Sequence, residues 1–300
     1  MLKSGHRPFW LYPLFQIPSI LLGTFLSLAL LFWLVGWGKP SVAVTIALDL
    51  SGSTYGSSSQ LFNAPSTVMA QEVAAVRLYI EQSAQLKIPN QIQVTGFGGQ
   101  VIPLTSRFSS DRSQLDTELT QSLADPNLRS RIGDGTNLNQ AIEQGAKVLG
   151  ETSQSCRELL LITDGGGEIN PLVVSQAASQ GVKINAFVIG TQASQLELAT
   201  VATQGIYISG SENILKTFVT EKFFPRFNSN LRWVSLWLGA AWIAMMWMFV
   251  LPLDRWVLQN WLSLPMNLSG QLALGNALFW TVLVPSMLWR LSGLPFFSPC

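Results

Sequence analysis

The chain has 300 residues, a net charge of +1 and only 12% charged residues, about half the usual share. That length holds one ordinary soluble domain with membrane segments, or two small domains. One histidine, His6, and two cysteines, Cys156 and Cys300, exclude a disulfide framework, a metal–thiolate cluster and any catalysis or zinc binding that needs two histidines.

The charges are confined. None lies between Pro8 and Gly38, between Trp233 and Leu253, or between Trp256 and Trp289, and all eleven tryptophans lie outside residues 38–232. The middle of the chain carries 16 acidic and 14 basic residues, so it is mildly acidic, and nothing in it suggests a nucleic-acid surface.

In chain order, residues 17–37 come first. They are apolar and uncharged over the ~20 residues a bilayer helix needs, with Lys3 and Arg7 before them. No small-x-small cleavage site follows, which predicts an uncleaved anchor. Residues 1–38 are thus a transmembrane anchor, and the inside-positive start places the following domain outside the cytoplasm. Lys222, Arg226 and Arg232 run against that orientation.

Residues 39–225 alternate strand and helix patterns. Ser41–Leu50 is a continuous apolar, β-branched run, as in a strand buried on both faces. A helix over Ser66–Leu86 follows, with Val68, Met69, Val73, Val76, Leu78, Tyr79 and Ile80 at near-helical spacing. Then come a strand Gln91–Phe97, a short antiparallel edge Val101–Thr105, and helices Asp111–Leu123 and Asn137–Leu149. Glu158–Thr163 is a central strand, Leu172–Ala178 a helix, Val182–Ile189 a strand and Leu196–Ala202 a helix. A last strand Ile206–Ser209 and a helix Glu212–Phe224 complete the domain. Cys156 reads as a buried small residue at a strand start. This alternation predicts an α/β fold, a doubly wound, mostly parallel sheet with helices on both faces.

Residues 226–300 form a C-terminal membrane region. Residues 233–251 are a second span, and residues 268–289 a weaker third, interrupted by Gln271, Asn276 and Pro285. A re-entrant third segment is the alternative. Trp256 and Trp261 mark a short helix lying in the membrane surface between them.

Three segments carry the chemistry: Asp49-Leu50-Ser51-Gly52-Ser53, Gly133-Asp134-Gly135-Thr136-Asn137-Leu138, and Leu161-Ile162-Thr163-Asp164-Gly165. Two follow strands and one opens a helix. In an open parallel sheet, ligands bind outside the carboxyl ends of the strands, where Asp49 and Asp164 fall. Hard divalent cations want oxygen ligands, and alternate oxygens from Asp49, Ser51 and Ser53 converge on one point in a tight turn at Gly52. Neutral hydroxyls leave the ion much of its charge, so it attracts an external carboxylate. Each segment alone is an ordinary loop or cap. The glycine run after Asp164 lacks the Lys-Ser/Thr of a phosphate loop.

Together, DLSGST, DGTN and LLITDG resemble the three metal-site motifs of von Willebrand factor type A domains, over roughly residues 41–224. The resemblance implies a Rossmann-like fold and a metal-ion-dependent adhesion site. Its metal ligands would be Asp49, Ser51, Ser53, Thr136 and Asp164, its ion Mg²⁺ (or Mn²⁺ or Ca²⁺), and its partner a protein presenting Asp or Glu. It also implies membrane-bound bacterial relatives that work with MoxR-type ATPases, which a domain outside the cytoplasm would not meet directly. Two features depart from the pattern: the long Ser-rich connection Thr54–Pro65 and Asp134, which adds a nearby negative charge. A binding module, not an enzyme, is expected. The alternatives are a phosphatase-like hydrolase using Asp49, against which Ser51 stands where a second acid is usual, and a membrane scaffold with a vestigial site.

Overall fold

The computed structural model describes residues 11–54, 67–154, 156–165, 167–190, 192–210, 229–293 and 295. The expected helix Glu212–Phe224, most of the Ser-rich connection, and the leader with Lys3, His6 and Arg7 lie outside them. The chain divides into two compact units: Pro40–Asn228, and Met1–Lys39 together with Ser229–Cys300.

The first unit is a six-stranded sheet. Its strands are β1 (Val42–Asp49), β2 (Gln91–Phe97), β3 (Val101–Pro103), β4 (Cys156–Thr163), β5 (Val182–Ile189) and β6 (Tyr207–Gly210), in the order β3-β2-β1-β4-β5-β6. All neighbours are parallel except β2 and β3. Every residue of β1 is buried, as its unbroken apolar run predicts for a central strand. Strand order reverses at β1, which leads to β2 on one side and touches β4 on the other. The carboxyl ends of β1 and β4 therefore form the switch point, where a crevice opens in such sheets. The register Leu48↔Ile162 brings Asp49 and Thr163 to that edge together.

Helices cover both faces. One hydrophobic core joins α5 (Leu138–Gly150), α6 (Pro171–Ser179) and α7 (Ser194–Ala202) to Ala43 and Ala47 of β1, Leu159 and Leu161 of β4 and Ile184, Ala186 and Val188 of β5. Strand side chains alternate, so Val44, Ile46, Leu48, Leu160 and Ile162 face the other way. The helix α2 (Val68–Ala84) packs on β1 and against α3 (Arg112–Leu123). Caps follow the sequence: Thr67 accepts from Ala70 N, Asp111 from Ser113 N, Asn137 from Gln140 N and Asn170 from Leu172 N. A five-residue helix α4 (Leu128–Ile132), absent from the periodicity, buries Leu128 and Ile132.

The second unit is helical. Its helices are α1 (Pro13–Val35), α8 (Leu231–Met248), continued by Val250–Pro252 and a π-helical stretch Leu253–Trp261, and α9 (Met266–Ser292). Three helical stretches, Pro13–Val35, Leu231–Trp261 and Met266–Leu291, are long and apolar enough to cross a bilayer, with mean hydropathies of 2.1, 1.9 and 1.5. The third is one uninterrupted helix, so its length fits a full crossing and not a re-entrant loop. The short helix expected around Trp256 and Trp261 is a π-helical stretch, Leu253–Trp261, that continues the second.

Helix α1 packs along α8 through Phe25 on Trp237 and Phe32 against Trp233 and Trp237. Asn230 Nδ2 donates to the Phe32 and Trp37 carbonyls, satisfying backbone acceptors at the end of α1.

Candidate metal centre

The site begins where β1 ends. Asp49 is fully buried, and its Oδ1 accepts from Ser51 N at 2.9 Å, the short-range bond that an aspartate makes to fold a turn back on itself. Thr54 N and Thr54 Oγ1 both donate to Ser51 O, at 3.2 and 2.9 Å, closing the turn. The result sets Ser51 Oγ and Ser53 Oγ 3.1 Å apart, so the two hydroxyls converge as the alternate spacing predicts.

The second segment is tied to the first by backbone. Gly52 N donates to Asp134 O at 3.1 Å. The end of β2 supports the same loop: Asn137 N donates to Gly98 O at 2.8 Å. A Cβ at Gly98 would meet Ile132 Cγ2 at 2.5 Å and Gly133 O at 2.7 Å. Thr136 lies in this loop, half-buried, two residues before α5, whose cap is Asn137. Asp134 pairs with Arg129 Nε at 3.6 Å on an exposed surface, which partly offsets the charge it adds.

The third segment meets Asp49 directly. Thr163 Oγ1 donates to Asp49 Oδ2 at 2.5 Å and accepts from Gly165 N at 3.2 Å. Asp164, half-buried, follows in the same turn. Burial pushes the Asp49 carboxyl up to about 6, against the hydrogen bonds from Ser51 and Thr163, which favour the anion; the negative charge of Asp164 adds to the rise. So the structure brings Asp49, Ser51, Ser53 and Asp164 to one edge of the sheet and places the loop bearing Thr136 against them. The Thr136 hydroxyl makes no hydrogen bond to the others among the described residues.

Two participants escape a motif reading. Thr163 sits inside the third motif, but only the structure shows that its hydroxyl anchors Asp49. Glu72 of α2 is fully buried, and among the described residues neither carboxylate oxygen has a hydrogen-bond partner. Burial first, then the negative charges of Asp49 and Asp164, raise its carboxyl well above the usual range. A signal for it exists in the sequence: Met69, Glu72, Val76, Tyr79 and Ser83 form one helical stripe, and an acid in a core-facing stripe stands out.

Among the described residues no three His, Cys, Asp or Glu side chains are grouped so as to hold a metal between them. The donor set here is of another kind, two converged serine hydroxyls and a nearby threonine with carboxylates behind them. It suits a hard, oxygen-seeking cation and is fitted by Mg²⁺. The unpartnered buried oxygens of Glu72 agree with such a fit, since they lack the compensation that a cation would give.

Residues 44–167 match the family profile of the von Willebrand factor type A domain. No curated protein matches the chain. Among solved structures, the conserved hypothetical protein BatB from Bacteroides thetaiotaomicron is 17% identical, with 60% of this chain and 97% of that one covered and a TM-score of 0.49. An aerotolerance-related membrane protein from Bacteroides fragilis is 16% identical, covering 61% and 98%, with a TM-score of 0.48. The N-terminal domain of TFIIH p34 is 16% identical, covering 61% and 98%, with a TM-score of 0.50, a likeness of fold alone. The motifs, the strand order and the profile coincide: this chain carries a von Willebrand factor type A domain, together with three helices long and apolar enough to span a membrane.

Proposed function

We propose that this chain is a membrane-tethered binding module that holds a divalent cation, Mg²⁺ or else Mn²⁺ or Ca²⁺, and uses it to take an acidic residue of a partner protein. The observation that carries the reading is the convergence of Ser51 Oγ and Ser53 Oγ, 3.1 Å apart, in the turn that Asp49 folds at the switch point of the sheet. Asp49, Ser51, Ser53, Thr136 and Asp164 would hold the ion. Bound there, the ion would supply a positive charge with a position open to an external carboxylate. Asp49 is kept in place by Ser51 N and Thr163 Oγ1, so its oxygens need little reordering. Serine and threonine hydroxyls add no charge, which leaves the site receptive to an acid. Ser51 in place of a second acid argues for binding over phosphoryl transfer.

The test is capture of a partner by the full chain, with and without chelator, beside Asp49→Ala and Thr136→Ala. Capture that survives chelation and either substitution would put the contact elsewhere. We place the domain outside the cytoplasm because Lys3 and Arg7 precede the first span. Protease added to intact spheroplasts should then cleave it, and full protection until lysis would reverse the orientation.

A further inference from the structure

We propose that Glu72 belongs to the cation site as a positioning residue, the buried carboxylate that supplies counter-charge from helix α2 behind Asp49 and Asp164. This rests on the reading that those residues hold a divalent cation.

The case starts from the helix. Helix α2 buries Met69, Val73, Ala75, Val76, Tyr79 and Ile80 against the sheet, and Glu72 lies among them with no exposed surface. An apolar side chain at this position would fill the same space without giving up hydration. A buried carboxylate normally gathers donors, because one left without them loses its water for nothing in return. Asp49 has two, from Ser51 N and Thr163 Oγ1. Among the described residues Glu72 has none for either oxygen.

Its charged surroundings are of the wrong sign for a structural role. The groups that act on it electrostatically are Asp49 and Asp164, both acids and both of the candidate site. Like charges that raise one another's carboxyls disfavour the charged, metal-free state. A divalent cation inverts that relation, because it is the largest local charge and turns each nearby acid from a liability into a partner. Since no three acids group as direct ligands among the described residues, Glu72 acts across a gap and not as a fourth-side ligand. Its effect is to strengthen the hold of the site on the ion while the neutral hydroxyls keep the face open. Residues behind a metal site have effects of this kind, about 10–100-fold in affinity.

The experiment titrates Mn²⁺ into the intact chain in detergent, reading free Mn²⁺ by electron paramagnetic resonance, for the parent, Glu72→Gln and Glu72→Asp. In parallel, hydrogen exchange of the β1 and β4 amides is followed in chelator. Glu72→Gln keeps the shape and removes the charge. We expect it to weaken Mn²⁺ binding about 10–100-fold, with exchange in chelator unchanged or slower than in the parent. Glu72→Asp, which retains the charge, should recover part of the affinity. Parent-like Mn²⁺ binding by Glu72→Gln overturns the role of Glu72 and leaves the cation reading standing. Lost exchange protection in chelator also overturns it, because the role requires Glu72 to be dispensable for the metal-free fold. A parent that binds no Mn²⁺ removes the cation reading itself, and this role with it.

Discussion

The amino halves of the central strands and their carboxyl ends treat a buried glutamate differently. In the amino half of β4 and β5, Glu158 Oε2 accepts from Asn185 Nδ2 at 2.8 Å, and Asn185 Oδ1 accepts from Ile206 N at 3.0 Å. Nearby, Asn90 Nδ2 donates to Tyr79 Oη at 2.9 Å. At the carboxyl ends, Glu72 is just as buried and has no donor, while Asp49 and Asp164 add like charge. One end gives its buried carboxylate a donor on Oε2, although Glu158 Oε1 has none among the described residues. The other gives Glu72 no donor on either oxygen among the described residues, which is the compensation that the proposed cation would supply.

The sharpest way to break this contrast is to open the closed end. Asn185→Ala removes the Glu158 donor and the Ile206 acceptor together, leaving a buried carboxylate and a half-buried amide without them. It should destabilise the domain by about 3 kcal/mol and leave Mn²⁺ affinity unchanged. Urea unfolding in detergent followed by circular dichroism, with a metal titration on the same sample, reads both. A change in affinity would mean that the two ends are coupled.

Next is pH. Burial raises the folded-state Asp49 carboxyl to about 6, above the ordinary aspartate range. The folded state thus holds that proton more tightly than the unfolded chain, and stability falls as pH rises from about 4 through about 6, then levels off. The metal-free domain should be more stable at pH 5 than at pH 7.5, by on the order of 2 kcal/mol. Glu72 shifts in the same direction and adds to the trend. With saturating Mg²⁺ the sign should reverse, because protons compete with the ion for Asp49. The same slope with and without Mg²⁺ would contradict this.

The smallest effect expected is at Thr163. Thr163→Val keeps the shape and removes the hydroxyl that holds Asp49 Oδ2. Mn²⁺ affinity should drop about 10-fold, with only a modest loss of stability. An unchanged affinity would mean that Ser51 N alone suffices to orient Asp49.

Much of this arrangement was legible in the residues. Strands β1, β4 and β5 announce themselves as continuous apolar runs because they are buried on both faces. Asp49, Ser51, Ser53 and Asp164 stand out because strand ends in a parallel sheet gather at one edge. What stayed hidden depends on contacts between distant segments. Helix α4 is too short to show a period and is held by burying Leu128 and Ile132. Thr163 looks like one more β-branched strand residue until its bond to Asp49, 114 positions away, is seen. Glu72 is hard to find because a charge in a helix usually marks an outward face. The third span looked weak because of Gln271, Asn276 and Pro285. Yet Asn276 Nδ2 turns to Met246 Sδ, and nearby Thr281 accepts from Trp247 Nε1 at 3.0 Å, so polar groups there face a neighbouring helix.

The central claim is that the open end of the sheet holds a divalent cation through Asp49 and its neighbours. The most direct measurement is Mn²⁺ binding by the intact chain, read by electron paramagnetic resonance, beside Asp49→Ala. One site of millimolar affinity or tighter, displaced by Mg²⁺ and lost in Asp49→Ala, is the predicted result. No binding in the parent, or equal binding in Asp49→Ala, would contradict it.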